Sequence, residues 1–186
     1  MLVEEKIINQ TIQLFQAKGL KFTLDELASE LGISKKTIYQ YFPSKEAILN
    51  EVVEYGFRRI QAKKTAILTS ELTTVERLKR VLIAMPNEYE QIDFSSLKGL
   101  EKFYPQVAKN LQAHFESDWE PIFALVEQGI DEEVIRPVNL VVLKMTLTAA
   151  FNYFLSTNDL ESSGLTYREA LQELVEVVMH GLVINE

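Results

Sequence analysis

Three times in this chain a threonine stands three residues ahead of a glutamate, with apolar residues at helical spacing immediately behind. The pairs are Thr23 with Glu26, Thr73 with Glu76, and Thr166 with Glu169. Each reads as a capping box, in which the hydroxyl accepts from a free first-turn amide and the carboxylate reaches back to the amide of the cap itself. A capping box opens a helix and argues against a strand at that place. Ser34 and Ser44 supply two further caps. With 7 Gly and 5 Pro in 186 residues, turns are too few for a sheet-rich chain. No strand-length run of alternating residues and no internal repeat is present, so the expected fold is all-α.

The helices are expected as follows. Residues 2–18 place Ile8, Ile12 and Phe15 on one face and stop at Gly19. A short helix runs from Thr23 to Gly32, another from Ser34 to about Phe42, and Pro43 breaks the chain before a long helix over Lys45 to Leu68. Thr73 opens the next, ahead of Leu78, Val81, Leu82 and Met85. Residues 95–129 read as one or two helices, with Pro105 in a first turn and Pro121 as a kink or break. Pro137 opens an apolar helix to Ser156, and Thr166 caps a last one whose stripe is Leu171, Leu174, Val175, Val178, Met179 and Leu182. This divides the chain into an N-terminal three-helix module, 1–46, and a larger helical bundle, 47–186.

Several classes of function are disfavoured. No Cys is present, so disulfides, thiolate nucleophiles and cysteine–zinc sites are excluded. No Gly-rich phosphate loop, metal-spaced His cluster or nucleophile elbow appears, and neither an enzyme nor a cofactor is expected. His114 and His180 lack a second ligand at i+3 or i+4 and read as surface or interface residues. The first residues lack the basic and apolar regions of a secretory signal. The stretch Pro137–Asn158 carries one charge, Lys144, but Asn139 and Asn152 interrupt it and no basic flank adjoins it. It is expected to be buried between proteins rather than in a membrane, and the protein to be cytoplasmic.

What remains is concentrated near residue 35. The net charge is −8, and it arises after residue 50, where 13 basic side chains face 21 acidic ones. Residues 31–45 hold Lys35, Lys36 and Lys45 and no acid. A small basic window on an acidic body favours one docking face for an anion. Ala28, Gly32 and Ile38 sit at offsets 0, +4 and +10. Ala permits close helix approach, Gly permits a left-handed turn, and Ile plugs the core beneath, which is the spacing of a helix-turn-helix. With Ile38 and Phe42 facing inward, the second helix shows Lys35, Lys36, Tyr39 and Gln40 outward. Lysines in the first turns of two adjacent helices oppose the helix dipole and suit an external anion such as a phosphate. Gln40 can pair with an adenine edge.

The segment Phe22 to Ile48, with Leu14-Phe15 and Gly19 upstream and the string Ile38-Tyr39-Gln40-Tyr41-Phe42-Pro43-Ser44-Lys45-Glu46, resembles the DNA-binding region of the TetR (AcrR) family of transcriptional regulators. The resemblance covers roughly residues 5–50. It implies an all-α homodimer, usually a repressor, that binds double-stranded DNA at a palindromic operator and releases it when a small molecule enters the C-terminal part. By position it implies phosphate contacts from Thr23, Ser34, Thr37, Tyr41 and Lys45, and a base-reading or groove-edge set of Lys35, Lys36, Tyr39 and Gln40. Lys36 stands where many members have Gly and Tyr41 where His is frequent, so the operator sequence does not carry over. The resemblance further implies a four-helix dimer interface built from helices 138–156 and 167–183.

The effector site is expected among Phe94, Phe103, Tyr104, Trp119, Phe123, Phe151, Tyr153 and Phe154, which gather aromatic mass in the C-terminal part. Phe103, Trp119, Phe123 and Phe151 are taken as its lining. Two other readings stay open. One is a helix-turn-helix-derived co-regulator or protein adaptor without its own operator. The other is an architectural or division-linked member of the same family.

Overall fold

The computed structural model describes residues 2–86, 97, 99–157 and 159–184, the side chain of Glu161 excepted. Phe94 lies outside the described residues. The chain forms α1 (Val3–Lys18), one 3-10 turn over Gly19–Lys21, α2 (Leu24–Leu31), α3 (Lys35–Tyr41) and the long α4 (Lys45–Leu68). These are followed by α5 (Thr74–Leu82), α6 (Leu100–Phe103), α7 (Pro105–Glu116), α8 (Glu120–Asp131), α9 (Leu140–Ser156), α10 (Asp159–Ser162) and α11 (Tyr167–Leu182). All three capping boxes form, with Thr23, Thr73 and Thr166 accepting from the amides of Glu26, Glu76 and Glu169.

Three boundaries differ from the sequence reading. Residues 95–129 contain three helices rather than one or two. Pro121 does not kink a helix but lies in the first turn of α8, as Pro105 does in α7. A first-turn amide has no intrahelical acceptor, so proline costs nothing there. The apolar helix α9 begins at Leu140 rather than beside Pro137, because the Asn139 side chain accepts from the Val142 amide and caps it. Residues 133–136 instead run beside the C-terminal end, where the Arg136 amide donates to Leu182 O at 2.9 Å and the Ile184 amide to Val134 O at 3.1 Å. Ile135 and Val183 form an isolated bridge there. Gly129 permits this approach, since a Cβ on it would lie 2.5 Å from Ile135 Cδ1.

Two apolar cores organise the helices. The first joins Ile7, Ile12 and Phe15 of α1 to Leu27 and Ala28 of α2, Ile38 of α3 and Ile48 of α4, and extends to Leu100 and Val107. The second joins Leu78 and Val81 of α5 to Trp119, Val126, Ile135, Leu147 and Val175. Helix α4 serves both: Val52 and Val53 pack on the first core, Ile67 and Leu68 on the second. The boundary expected at 46/47 falls in its first turn, and Ile48 and Leu49 beyond it belong to the first core. Helix α4 thus joins the two cores through packed side chains. No helix among the described residues is long and apolar enough to cross a membrane.

Candidate nucleic-acid interface

The turn between α2 and α3 is built as the spacing predicts. Gly32 ends α2 at φ 63°, ψ 30°, in the left-handed region that favours glycine. The amides of Gly32 and Ile33 close the helix end onto Ser29 O at 3.1 Å and Ala28 O at 3.0 Å. Ser34 then caps α3, its Oγ accepting from the Thr37 amide at 3.0 Å, with the Thr37 hydroxyl 2.9 Å away. Beneath the turn Ile38 is fully buried, and Phe42 and Ala28 are nearly so. These contacts fix the rotation of α3 and hence which side chains point outward.

Lys36, Tyr39, Gln40 and Tyr41 are the outward set, with Tyr39 and Tyr41 close to half exposed. Thr23 and Ser34 sit exposed at the two helix starts, where their hydroxyls already serve as caps. The three lysines part company. Lys36 is exposed and makes no hydrogen bond or ion pair with any described residue. Lys35 pairs with Asp25 of α2 at 2.9 Å, and that carboxylate holds the ammonium pKa above its ordinary value. Lys45, expected among the phosphate contacts, turns its ammonium inward. It donates to Leu20 O at 2.6 Å and Phe22 O at 2.5 Å, and lies 4.0 Å from the centre of the Phe22 ring. Burial lowers its pKa, opposed by the charge of Glu26. Internal acceptors thus hold the ammonium groups of Lys35 and Lys45, and Lys36 alone of the three has none among the described residues.

Glu26 shows the same economy. Lys18 at 2.6 Å, followed by the Thr23 amide at 2.8 Å, draws its pKa down from 4.5 to about 2. Asp25 and Glu26, the acids in the first turn of α2, are thus each paired with a lysine.

Two apolar cavities lie along α4. One, of about 120 Å³, is lined by residues of α1, α4, α7 and α11 among others, with Phe15, Phe57, Leu111, Phe115 and Tyr167 in its walls. The other, of about 90 Å³, shares Phe57, Ile60, Met85, Phe115 and Tyr167 and adds Trp119 and Phe151. Of the four aromatics expected to line an effector site, Trp119 and Phe151 reach this cavity. Phe123 packs in the second core, its ring 6.2 Å from that of Trp119. Phe103 is 65% exposed and packs against Gly99. The residues missed are those of α4 and α7. Phe57, Ile60 and Lys64 are spaced i, i+3, i+7 and share one helix face, a signal present in the sequence.

His114 does not stand alone. Its Nε2 lies 3.0 Å from Glu54 Oε1 of α4, and its ring stacks on Phe57 at 4.2 Å. Among the described residues no group of three or more His, Asp or Glu could hold a metal ion. On the outer side of the bundle, Val141, Val142 and Met145 of α9 and Val177 of α11 are each more than half exposed, so both helices carry apolar faces with nothing packed on them.

A helix-turn-helix whose second helix stands clear of the body, ahead of an α-helical bundle, defines a class of DNA-binding regulators. Residues 7–52 match the family described as "Bacterial regulatory proteins, tetR family". Over 185 residues the chain is 26% identical to an uncharacterized HTH-type transcriptional regulator, YvaF, of Bacillus subtilis (strain 168), covering 99% of this chain and 97% of that one. A putative transcriptional regulator from Saccharomonospora viridis, solved in complex with choline, shares the fold at TM-score 0.77. It is 20% identical, with 98% of each chain covered. The transcriptional regulator FadR from Bacillus subtilis, solved in complex with stearoyl-CoA, shares it at TM-score 0.65. It is 15% identical, with 95% of this chain and 98% of that one covered. Residues 7–52 thus form a DNA-binding region of the TetR type, and the chain is a DNA-binding transcriptional regulator.

Proposed function

We propose that the protein is a homodimeric repressor of this family that reads a palindromic operator with α3 and is released by a small molecule bound in the C-terminal part. The observation that carries this reading is the outward face of α3, where Lys36, Tyr39, Gln40 and Tyr41 are exposed while Ile38 is fully buried. Lys36 and Tyr41 serve phosphates or the groove edge, with Thr23, Ser34 and Thr37 at the helix starts. Tyr39 and Gln40 reach base edges. Lys35 contributes after exchanging Asp25 for a phosphate. Lys45 acts mainly as a strut, bringing the start of α4 against the 3-10 turn.

A single copy makes too few phosphate contacts to hold DNA at cellular salt, and pairing doubles them. The exposed apolar faces of α9 and α11 support pairing through those helices, which would bury Met145 and Val177. The working division is a reading module, 1–46, and an effector and dimerisation part, 47–186, with α4 as the beam between them. A ligand between α4 and α7 would shift α4 and change the separation of the two α3 helices. Half-sites about one turn, roughly 34 Å, apart would then no longer be matched. No catalytic step is assigned to the chain, and a cytoplasmic location follows from the partner.

The test is selection of bound fragments from the host genome by the purified protein. Enrichment of one palindromic site is expected. If no site is enriched at any salt concentration, the operator reading fails and a protein adaptor takes its place.

A further inference from the structure

The cavities around Phe57 and Phe115 also carry information about what they hold. Their walls are apolar, and no Asp or Glu is among the described residues lining either one. Two basic side chains reach them, His114 and Lys64. His114 has its counter-charge in Glu54. The Ser117 hydroxyl donates to His114 O at 3.0 Å, and the Trp119 indole donates to Phe115 O at 2.9 Å. Lys64 differs. It is half-buried, lines the cavity, and makes no hydrogen bond or ion pair with any described residue. Burial lowers its pKa, and the charge of Asp118 opposes this, but that carboxylate accepts from the Gln61 amide. An ammonium group taken from water without a partner is costly, and an anion beside it removes the cost.

We propose that Lys64 is the anchor for a negatively charged group on the effector, whose apolar body fills the space walled by Phe57, Phe115, Trp119 and Phe151. This rests on the reading of these cavities as the effector site and narrows its ligand to amphipathic monoanions, with a carboxylate as the simplest head. The two cavities, of about 120 and 90 Å³, share walls, and since an apolar cavity of about 150 Å³ accommodates one benzene ring, the body is compact and spans both. Aromatic walls alone would equally suit a quaternary ammonium ligand through their ring faces. The Lys64 charge, with no acid in the walls, selects against that.

The test uses octanoate, octan-1-ol and octyltrimethylammonium as probes of the full-length protein. The readout is the fluorescence of Trp119, the one tryptophan of the chain, which lies in the cavity wall. Octanoate is expected to bind at least about ten-fold more tightly than octanol, a modest share of the energy of a desolvated charge pair. Lys64→Met should bring octanoate to the level of octanol and leave octanol unchanged, and Lys64→Gln gives the same reading if the first variant does not fold. Equal binding of octanoate and octanol by the wild type overturns the anion anchor while the cavity remains an effector site. So does tighter binding of the cation, or an octanoate preference that survives both substitutions. Binding of none of the three overturns the effector site and the anchor together.

Discussion

The ammonium of Lys45 donates to the carbonyl oxygen of Phe22 at 2.5 Å while lying 4.0 Å from the centre of the Phe22 ring. With the second bond, to Leu20 O, this ties the first turn of α4 to the end of the 3-10 turn, 23 to 25 residues away in sequence. The carbonyls of a short 3-10 turn lack helical partners, and a cation is a strong donor to them. Lys45→Met keeps the apolar stem and removes both bonds. The expected loss is about 1–3 kcal/mol of stability, read as a lower midpoint in urea with an unchanged slope. An unchanged midpoint would show that the tie contributes nothing.

Gly32 holds φ 63°, and a Cβ built on it meets nothing within 4 Å. The cost of replacing it is therefore backbone strain alone, without a clash. Gly32→Ala should lose about 1–2 kcal/mol, and Gly32→Asn less, because Asn tolerates the left-handed region. Thermal melts of the two variants check the order. Equal losses would point to packing around the turn instead of its handedness.

Legibility from sequence followed the range of the interactions involved. Thr23, Ser34, Ser44, Thr73 and Thr166 act on amides three residues away, and each is readable as a helix start. Gly32 and Ile38 were readable because their spacing is enforced inside one short motif. The inward turn of Lys45 is not legible because its acceptors, Leu20 O and Phe22 O, are backbone atoms from another element, and backbone acceptors leave no trace in composition. The pairing of Lys35 escapes for a simpler reason. The window 31–45 holds no acid, but Asp25 on the neighbouring helix reaches it. The cavity walls were half legible: Trp119 and Phe151 stood out as aromatics, whereas Ile60 and Lys64 acquire their role only when α4 packs on α7.

Acid should withdraw a contribution of the capping box of α2. The folded-state pKa of Glu26 is depressed from 4.5 to about 2, so the carboxylate contributes stability fully above pH 4.5. That contribution is lost progressively as pH falls from about 4.5 toward 2. Glu26→Gln keeps a side chain able to accept from the Thr23 amide but cannot titrate. Its stability should fall less steeply than that of the wild type across this window and match it in slope above pH 5. Identical acid limbs would show that the Glu26 pairing is not formed in solution.

The apolar faces of α9 and α11 make a prediction about mass. Met145→Glu and Val177→Glu place a carboxylate at positions 66% and 70% exposed in the single chain, where folding should tolerate it. If pairing buries those positions, the dimer dissociation constant should rise by about two orders of magnitude or more, from an unpaired buried charge. Sedimentation at micromolar concentration would then report a monomer with a nearly unchanged melting temperature. Persistence of the wild-type mass in both variants would move the interface elsewhere.

The pairing of Lys35 with Asp25 and the solitude of Lys36 predict opposite effects on DNA binding from neutralising substitutions a few ångströms apart. Lys36→Gln removes a cation that has no internal partner. A dimer then loses two phosphate contacts, and the slope of log affinity against log salt should fall by roughly 2. Folding stability should stay the same, because no internal contact is lost. Asp25→Asn does the reverse: it frees Lys35 from an exposed ion pair that solvent screens and removes an acid from the docking face. Binding should tighten by roughly three- to ten-fold at low salt, while stability drops by a few tenths of a kcal/mol because Asp25 sits favourably in the first turn of α2. Both are measured by fluorescence anisotropy on one duplex across a salt series. If Lys36→Gln leaves the salt slope unchanged, a duplex does not lie across the start of α3, and the assignment of this face to DNA is lost with it.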